Sequence, residues 1–378
     1  MRIGILTLPL HTNYGGILQA YALQTVLERM GHEVVVFDTP NKVALPPLWK
    51  LPLSLGKRVL KKMLGKGGRV FCEHYQNKTR PVIAKNIQPF IDKYIHRKVI
   101  RSFVKLDSKE YDAIVVGSDQ VWRCIYFPCL WLGQQMENAY LSFAQNWDIK
   151  KIAYAASFGT DDWEYNDEQA LNCKHLLQMF DFVSVREATG VNICKQYFNV
   201  DAEHVLDPTM LLSAQDYKTL FQERQTPLSK GTLLNYVLDE TDEIENLIKK
   251  LSSEKKMIPF AVNNPYEEDE SKPLNQRIKP SVETWLRGFY DADFVITDSF
   301  HACVFSIIFK KQFIVVGNKK RGMARFESLL KMFGLEERLV DEKVDINTLR
   351  PIDYDKVFNL YGQLKEKSLH FLSENLVP

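Results

Sequence analysis

Short, fully apolar runs of strand length recur along this chain with helix-period segments between them, and that alternation leaves few folds open. Residues 3–8 are one such run. Residues 16–30 then carry helical spacing in Ile17, Ala20, Tyr21, Leu23, Gln24 and Leu27, and Gly31 stops that helix. A second run, 34–37, ends at Asp38-Thr39-Pro40. Strands apolar on both faces belong to a parallel sheet covered by helices on each side. The pattern recurs at 113–117, 152–156, 182–185 and 204–206, with a helix expected over 167–179. Near Asp207-Pro208-Thr209 the first unit is expected to end. A polar stretch, 214–230, then leads to a strand at 233–238. Helix 243–252, strand 256–261, helix 281–292, strand 294–297, helix 301–309 and strand 313–316 follow. At 378 residues the chain suits two cores rather than one. The expected architecture is α/β: two doubly wound Rossmann-like domains, 1–210 and 211–345, facing a cleft. A C-terminal helical segment, 346–378, has helical spacing over 354–376 and is expected to cross back to the first domain.

Hydrophobic residues at 45% and charged residues at 25% are globular values. A formal net charge of +2 excludes no partner, so anion binding must come from local clusters. No nucleic-acid partner is expected. The N-terminus lacks the long apolar core and cleavage site of a secretory leader. The best candidate for a membrane span, 303–316, is cut by Lys310-Lys311. Six cysteines without short paired spacing fit reduced thiols and a cytoplasmic setting. Cys124 and Cys129 have no second pair at ligand spacing, so core or loop thiols are expected there, with no metal and no cofactor.

One segment breaks the alternation. Between Asp38 and Glu73 there is no acidic residue, while Lys42, Lys50, Lys57, Arg58, Lys61, Lys62, Lys66 and Arg69 are basic and Leu48, Trp49, Leu51, Leu53, Leu55, Val59, Leu60, Met63 and Leu64 are interleaved. An insertion at about 41–72 of this composition suits a helix lying on an anionic bilayer, as a peripheral contact at the inner membrane surface. A solvated excursion with a partly buried apolar face is the plainer alternative.

Ligands of parallel α/β sheets collect beyond the carboxyl ends of strands, where helix N-termini present free N–H groups. Each strand end therefore nominates residues. After the first comes His11-Thr12-Asn13-Tyr14-Gly15-Gly16, whose paired glycines allow close approach of backbone to a ligand; the G-x-G-x-x-G fingerprint is absent. After 113–116 comes Gly117-Ser118-Asp119-Gln120, where Asp119 is either a helix cap or a cleft carboxylate. After 182–185, Arg186 presents a planar fork suited to carboxylate or phosphate, or else pairs with Glu187. After 294–297, Asp298 or Ser299 can cap a helix whose first turn holds His301, where the helix dipole favours a neutral imidazole able to exchange a proton. After 313–316, Lys319, Lys320, Arg321 and Arg325 surround Gly317 and Gly322 as a phosphate or carboxylate cradle.

In order, Asn13-Tyr14-Gly15-Gly16 with Leu18-Gln19-Ala20-Tyr21-Ala22-Leu23, Gly117-Ser118-Asp119-Gln120-Val121-Trp122, Ser184-Val185-Arg186-Glu187, Leu206-Asp207-Pro208-Thr209, Thr297-Asp298-Ser299-Phe300-His301 and Arg325-Phe326-Glu327-Ser328-Leu329-Leu330 resemble the polysaccharide pyruvyl transferase family over roughly residues 1–340. The resemblance implies a fold of the glycosyltransferase B type. It also implies transfer of a pyruvyl group from phosphoenolpyruvate to a sugar, giving a cyclic ketal on a cell-surface polysaccharide or its precursor, the acceptor in some cases lipid-linked. On this reading His301 and Asp298 are catalytic, and Arg186, Ser299, Lys319, Arg321 and Arg325 bind the donor. Asn13, Tyr14, Gly15, Gly16, Ser118, Asp119 and Gln120 form the acceptor side. Two departures stand out: Ser299 occupies a position where the family carries arginine, and Gly117-Ser118-Asp119 replaces a run of glycines. The second donor cation is then expected from Arg321 or Arg325. A glycosyltransferase using a nucleotide-activated sugar on the same scaffold is the alternative, because fold does not fix function.

Overall fold

The computed structural model describes every residue except 40–42, 44, 47, 66–68, 127–134, 318–322, 342–343 and 378. The first sheet contains β1 (Arg2–Leu6), β2 (Glu33–Asp38), β3 (Arg97–Val99), β4 (Ala113–Val116), β5 (Lys150–Ala156), β6 (Phe182–Val185) and β7 (Glu203–His204), in the order β3-β2-β1-β4-β5-β6-β7. The second contains β8 (Leu233–Tyr236), β9 (Pro259–Phe260), β10 (Phe294–Thr297), β11 (Gln312–Val316) and β12 (Leu339–Val340), in the order β12-β11-β10-β8-β9. Neighbouring strands pair in parallel throughout. All four residues of β4 and of β10 are buried, as strands covered on both faces must be.

The helices between them are α1 (Tyr14–Arg29), α2 (Leu51–Met63), α3 (Cys72–Ile83), α4 (Gln88–Tyr94), α5 (Asp167–Leu177), α6 (Ala188–Ile193) and α7 (Ala214–Glu223), then α8 (Asp242–Lys255), α9 (Val282–Asp291), α10 (Phe300–Ile308), α11 (Ala324–Phe333) and α12 (Tyr354–Asn375). Two parallel sheets with alternating helices make this a two-domain Rossmann-like α/β protein. The last helix runs back to the first sheet's side: Tyr361 donates its hydroxyl to the Met210 carbonyl at 2.7 Å, and the rings of Phe371 and Tyr154 lie 6.0 Å apart.

Three local expectations change. The stretch 214–230, expected to be a polar connector, begins with α7. Ser213 and Asp216 close a capping box there, and Tyr217, Leu220 and Phe221 are buried on one face. Their three- and four-residue spacing is the apolar stripe that the polar composition hid. The strand expected at 256–261 shrinks to Pro259–Phe260, because Lys256 takes a left-handed conformation (φ 53°) to cap α8. The insertion does not end at 72 either. α3 and α4 continue it, and the whole segment is the crossover from β2 to β3, a three-residue edge strand whose charged Arg97 and Lys98 conceal it in the sequence.

Candidate active site

Each sheet reverses its strand order at one place, between β1 and β4 in the first and between β8 and β10 in the second. Crevices open outside the carboxyl ends of strands at such points. The loops and helix starts after β1 and β4 carry Asn13, Gly15, Gly16, Ser118 and Asp119; the loop and helix start after β10 carry Asp298, Ser299 and His301.

The two crevices meet at one contact. A Cβ built on Gly15 would lie 2.0 Å from His301 Nδ1, so the imidazole of the second domain rests directly on the first turn of α1. The close approach that paired glycines permit is thus used by a side chain at Gly15. At Gly16 a Cβ would come within 3.1 Å of Asp119 Oδ2 and 3.3 Å of Asn13 Nδ2. Overpacking of this kind costs about 1–3 kcal/mol. Gly15→Ala should therefore lower the unfolding free energy, measured by denaturant titration, by that amount. In a His301→Ala background the penalty should vanish, which identifies the ring as its source.

His301 is buried, and its Nε2 lies 3.7 Å from Asp207 Oδ2. Asp207 anchors the network behind it. Its Oδ2 accepts from Ser118 Oγ at 2.8 Å and from Arg186 Nη1 at 2.9 Å, while Oδ1 accepts from the Thr209 amide at 3.0 Å and hydroxyl at 2.7 Å. Burial by itself would raise this carboxyl; His301, Arg186 and Thr209 overcome it and hold Asp207 well below the usual carboxylate range. The sequence marks Asp207 as a domain boundary and as part of a family motif but not as a site residue, although an acid just past a strand and before a proline is also what a strand-end site residue looks like.

Arg186, expected to grip the donor, is encircled by acids. Asp207 lies at 2.9 Å, Asp119 at 3.5 Å and Glu187 at 3.8 Å, and these raise its pKa against the opposing effect of burial. Its Nε and Nη2 nevertheless lack hydrogen-bond partners. Its guanidinium carbon also sits 4.5 Å from the Phe300 ring centre, and that of Arg325 approaches the same ring at 5.8 Å. Burial, followed by repulsion from Arg186, pushes Arg325 down to about 10, a cation that an incoming anion would relieve. Glu187 meanwhile accepts from the amides of Phe158 at 2.7 Å and Gly159 at 3.3 Å, fixing the loop after β5.

Asp119 sits at φ 72°, a left-handed conformation unusual for aspartate. Its Oδ1 accepts from the Gln120 amide at 2.9 Å and its Oδ2 from Asn13 at 3.4 Å. Backbone strain of this kind is held where surrounding contacts over-determine it, and often at functional sites.

Two expected site residues have other duties. Asp298, expected to be catalytic, accepts from the amides of Leu238 at 2.8 Å and Asp239 at 2.9 Å, so its carboxylate ties the loop after β8 to β10. Tyr14 donates to the Pro280 carbonyl at 2.7 Å and stacks on Trp285 at 5.6 Å, joining the domains. Ser299 is the N-cap of α10 without a side-chain capping bond. Lys319 and Arg321 lie outside the described residues.

A cavity of about 510 Å³ opens above this cluster, floored by Asn13, Gly16, Asp119 and Gln120. One wall is α3, through Tyr75, Thr79 and Arg80; the facing wall is the 267–279 loop of the second domain. Arg277 donates to the Tyr75 hydroxyl at 2.8 Å across that junction. His11, which the sequence did not single out, lines the cavity with a buried, unpartnered Nε2, and burial lowers its pKa. His301, Arg186 and Arg325 sit behind the floor, outside the lining. Among the described residues no group of histidine, cysteine, aspartate or glutamate could hold a metal ion.

No curated protein matches the chain. Solved structures similar to it include the UDP-GlcNAc 2-epimerase of Methanocaldococcus jannaschii, with 12% identity, TM-score 0.49 and coverage of 99% of this chain and 100% of that one. That of Neisseria meningitidis bound to UDP-GlcNAc has 10% identity and TM-score 0.46, covering 100% and 95%. An alpha-glucosyltransferase in complex with UDP and a 13-mer DNA has 11% identity and TM-score 0.45, covering 98% and 95%. A family model, polysaccharide pyruvyl transferase, matches residues 13–320. With most of its length matched, including every strand-end loop described above up to that of β11, this chain is an enzyme belonging to the polysaccharide pyruvyl transferase family.

Proposed function

We propose that this protein transfers a pyruvyl group from phosphoenolpyruvate to a sugar of a cell-surface polysaccharide or its precursor, closing a cyclic ketal. The observation that carries the reading is the seating of His301 on Gly15 beside Asp207, which unites an acid/base with two strand-reversal crevices. Family membership supports transferase chemistry of this class.

The chemistry asks for few parts. The enol carbon of the donor takes a proton, and the adjacent carbon becomes an oxocarbenium centre. A sugar hydroxyl attacks that centre, giving up its proton. The bond to the phosphate oxygen then breaks, inorganic phosphate leaves, and a second hydroxyl adds to the same carbon with loss of its proton. His301 is the proton carrier, and the Asp207 carboxylate orients its ring and stabilises the imidazolium. Arg325, with Arg186 beside it, meets the donor's phosphate and carboxylate, and Ser299, Lys319 and Arg321 complete that side. The acceptor occupies the cavity over Asn13, Gly16, Asp119 and Gln120. Gly15, Ser118, Tyr14 and Asp298 act by positioning. A cytoplasmic setting and a lipid-linked acceptor at the inner membrane surface belong to the same reading.

Purified protein mixed with phosphoenolpyruvate and sugar acceptors, free and lipid-linked, should release inorganic phosphate in step with the mass gain of one pyruvyl ketal on the sugar. Turnover of a nucleotide sugar with no use of phosphoenolpyruvate would overturn the proposal in favour of glycosyl transfer.

A further inference from the structure

The helix α2 is oriented the wrong way round for a protein surface in water. Its inner face is Leu51, Ser54, Leu55 and Arg58, at spacings of three and four, and all four are only half-buried. Its outer face is apolar: Leu53 is 78% exposed, Leu60 58% and Met63 81%. Just before the helix, Leu48 is 85% and Trp49 73% exposed. Single exposed hydrophobics are ordinary, but a contiguous set on one helix marks an interaction surface. Lys57, Lys61 and Lys62 are exposed alongside, and Lys50 lies 4.5 Å from the Trp49 ring centre.

We infer that α2 and the turn before it dock on an anionic lipid bilayer. An outward apolar stripe buries into the boundary between headgroups and acyl chains. Flanking lysines meet lipid phosphates, and tryptophan settles at that depth. Charge selects this occupant: no acidic residue stands between Asp38 and Glu73, so the surface complements an anionic one. Helix α2 is too short to span a bilayer, and no helix among the described residues is long and apolar enough to do so.

The docking helix is coupled to the cavity. Arg58 makes a two-pronged bond to Glu73 of α3, at 2.7 and 2.6 Å, and also donates to the Val70 carbonyl at 3.2 Å. The same α3 contributes the cavity wall through Tyr75, Thr79 and Arg80. A bilayer held by α2 therefore lies next to the wall that a membrane-anchored acceptor would pass. The docking itself does not rest on the proposed reaction.

Co-sedimentation with vesicles of phosphatidylglycerol in phosphatidylcholine, against phosphatidylcholine alone, tests it on the full chain. Binding should be at least tenfold tighter to the anionic vesicles and should weaken with salt. Lys57→Gln/Lys61→Gln/Lys62→Gln should weaken it roughly fivefold per lysine. Leu53→Ser/Leu60→Ser/Met63→Ser should abolish it, with the circular dichroism of both variants unchanged. Turnover of a water-soluble acceptor should be unaffected in both. Equal partition to neutral and anionic vesicles, or binding indifferent to both triple variants, overturns the proposal. So does dimerisation in sedimentation equilibrium that the apolar variant removes while vesicles are ignored, which would make a second copy of the chain the occupant. Failure of phosphoenolpyruvate turnover with vesicle binding intact would strike the proposed reaction alone.

Discussion

His301→Ala should lower kcat for pyruvyl transfer by about 10²–10⁴-fold, the usual contribution of a positioned acid/base. Donor affinity should change far less, because the cations assigned to phosphoenolpyruvate are Arg325 and Arg186, which share the Phe300 ring. Steady-state kinetics across pH check both halves of this expectation. Near-normal kcat in a folded variant would remove His301 from the chemistry and leave it as an interdomain packing residue.

Asp207→Asn should be the most destabilising single change in the site. The carboxylate is buried and serves Arg186, Ser118 and Thr209 together while facing His301. Removing one partner of a buried ion pair costs about 3–5 kcal/mol, chiefly through the charge left behind on Arg186. Asp119 and Glu187, at 3.5 and 3.8 Å, recover part of it. The dependence on pH has a definite sign. Asp207 is depressed in the folded protein, so its stabilisation is present above the ordinary carboxylate pKa and is lost as pH falls through and below that range. Denaturant midpoints should therefore differ most near neutrality, and the gap should begin to narrow only below about pH 4, persisting in large part at about pH 3. A constant gap would mean that the asparagine variant is weakened by packing rather than by charge.

Most of the fold was legible because its strands are buried on both faces and read as uninterrupted apolar runs; β4, β6 and β10 begin and end within a residue of expectation. Among the elements that escaped, β3 and α7 have compositions that answer to an edge and to a single buried stripe. The strand-end rule named Asn13, Asp119, Arg186 and His301, and the structure brings these residues close to one another because topology gathers their loops. What it could not supply was the third dimension. The two oxygens of Asp298 are taken by amides from β8's end, sixty residues earlier in the chain, and Tyr14 reaches Pro280 in the other domain. Neither partner leaves a trace in local spacing. Asp207 was missed for a related reason: its importance comes from the groups that converge on it, and the nearest of these in sequence, apart from Thr209 beside it, is Arg186.

On the proposed reading, the contact between His301 and Gly15 splits the reactive centre into two halves, one on each lobe. Any breathing of the lobes that let substrates enter would then also dismantle the proton carrier's seat. An enzyme so built would be idle when open and armed only when shut, sparing an energy-rich donor wasteful hydrolysis in an open cleft.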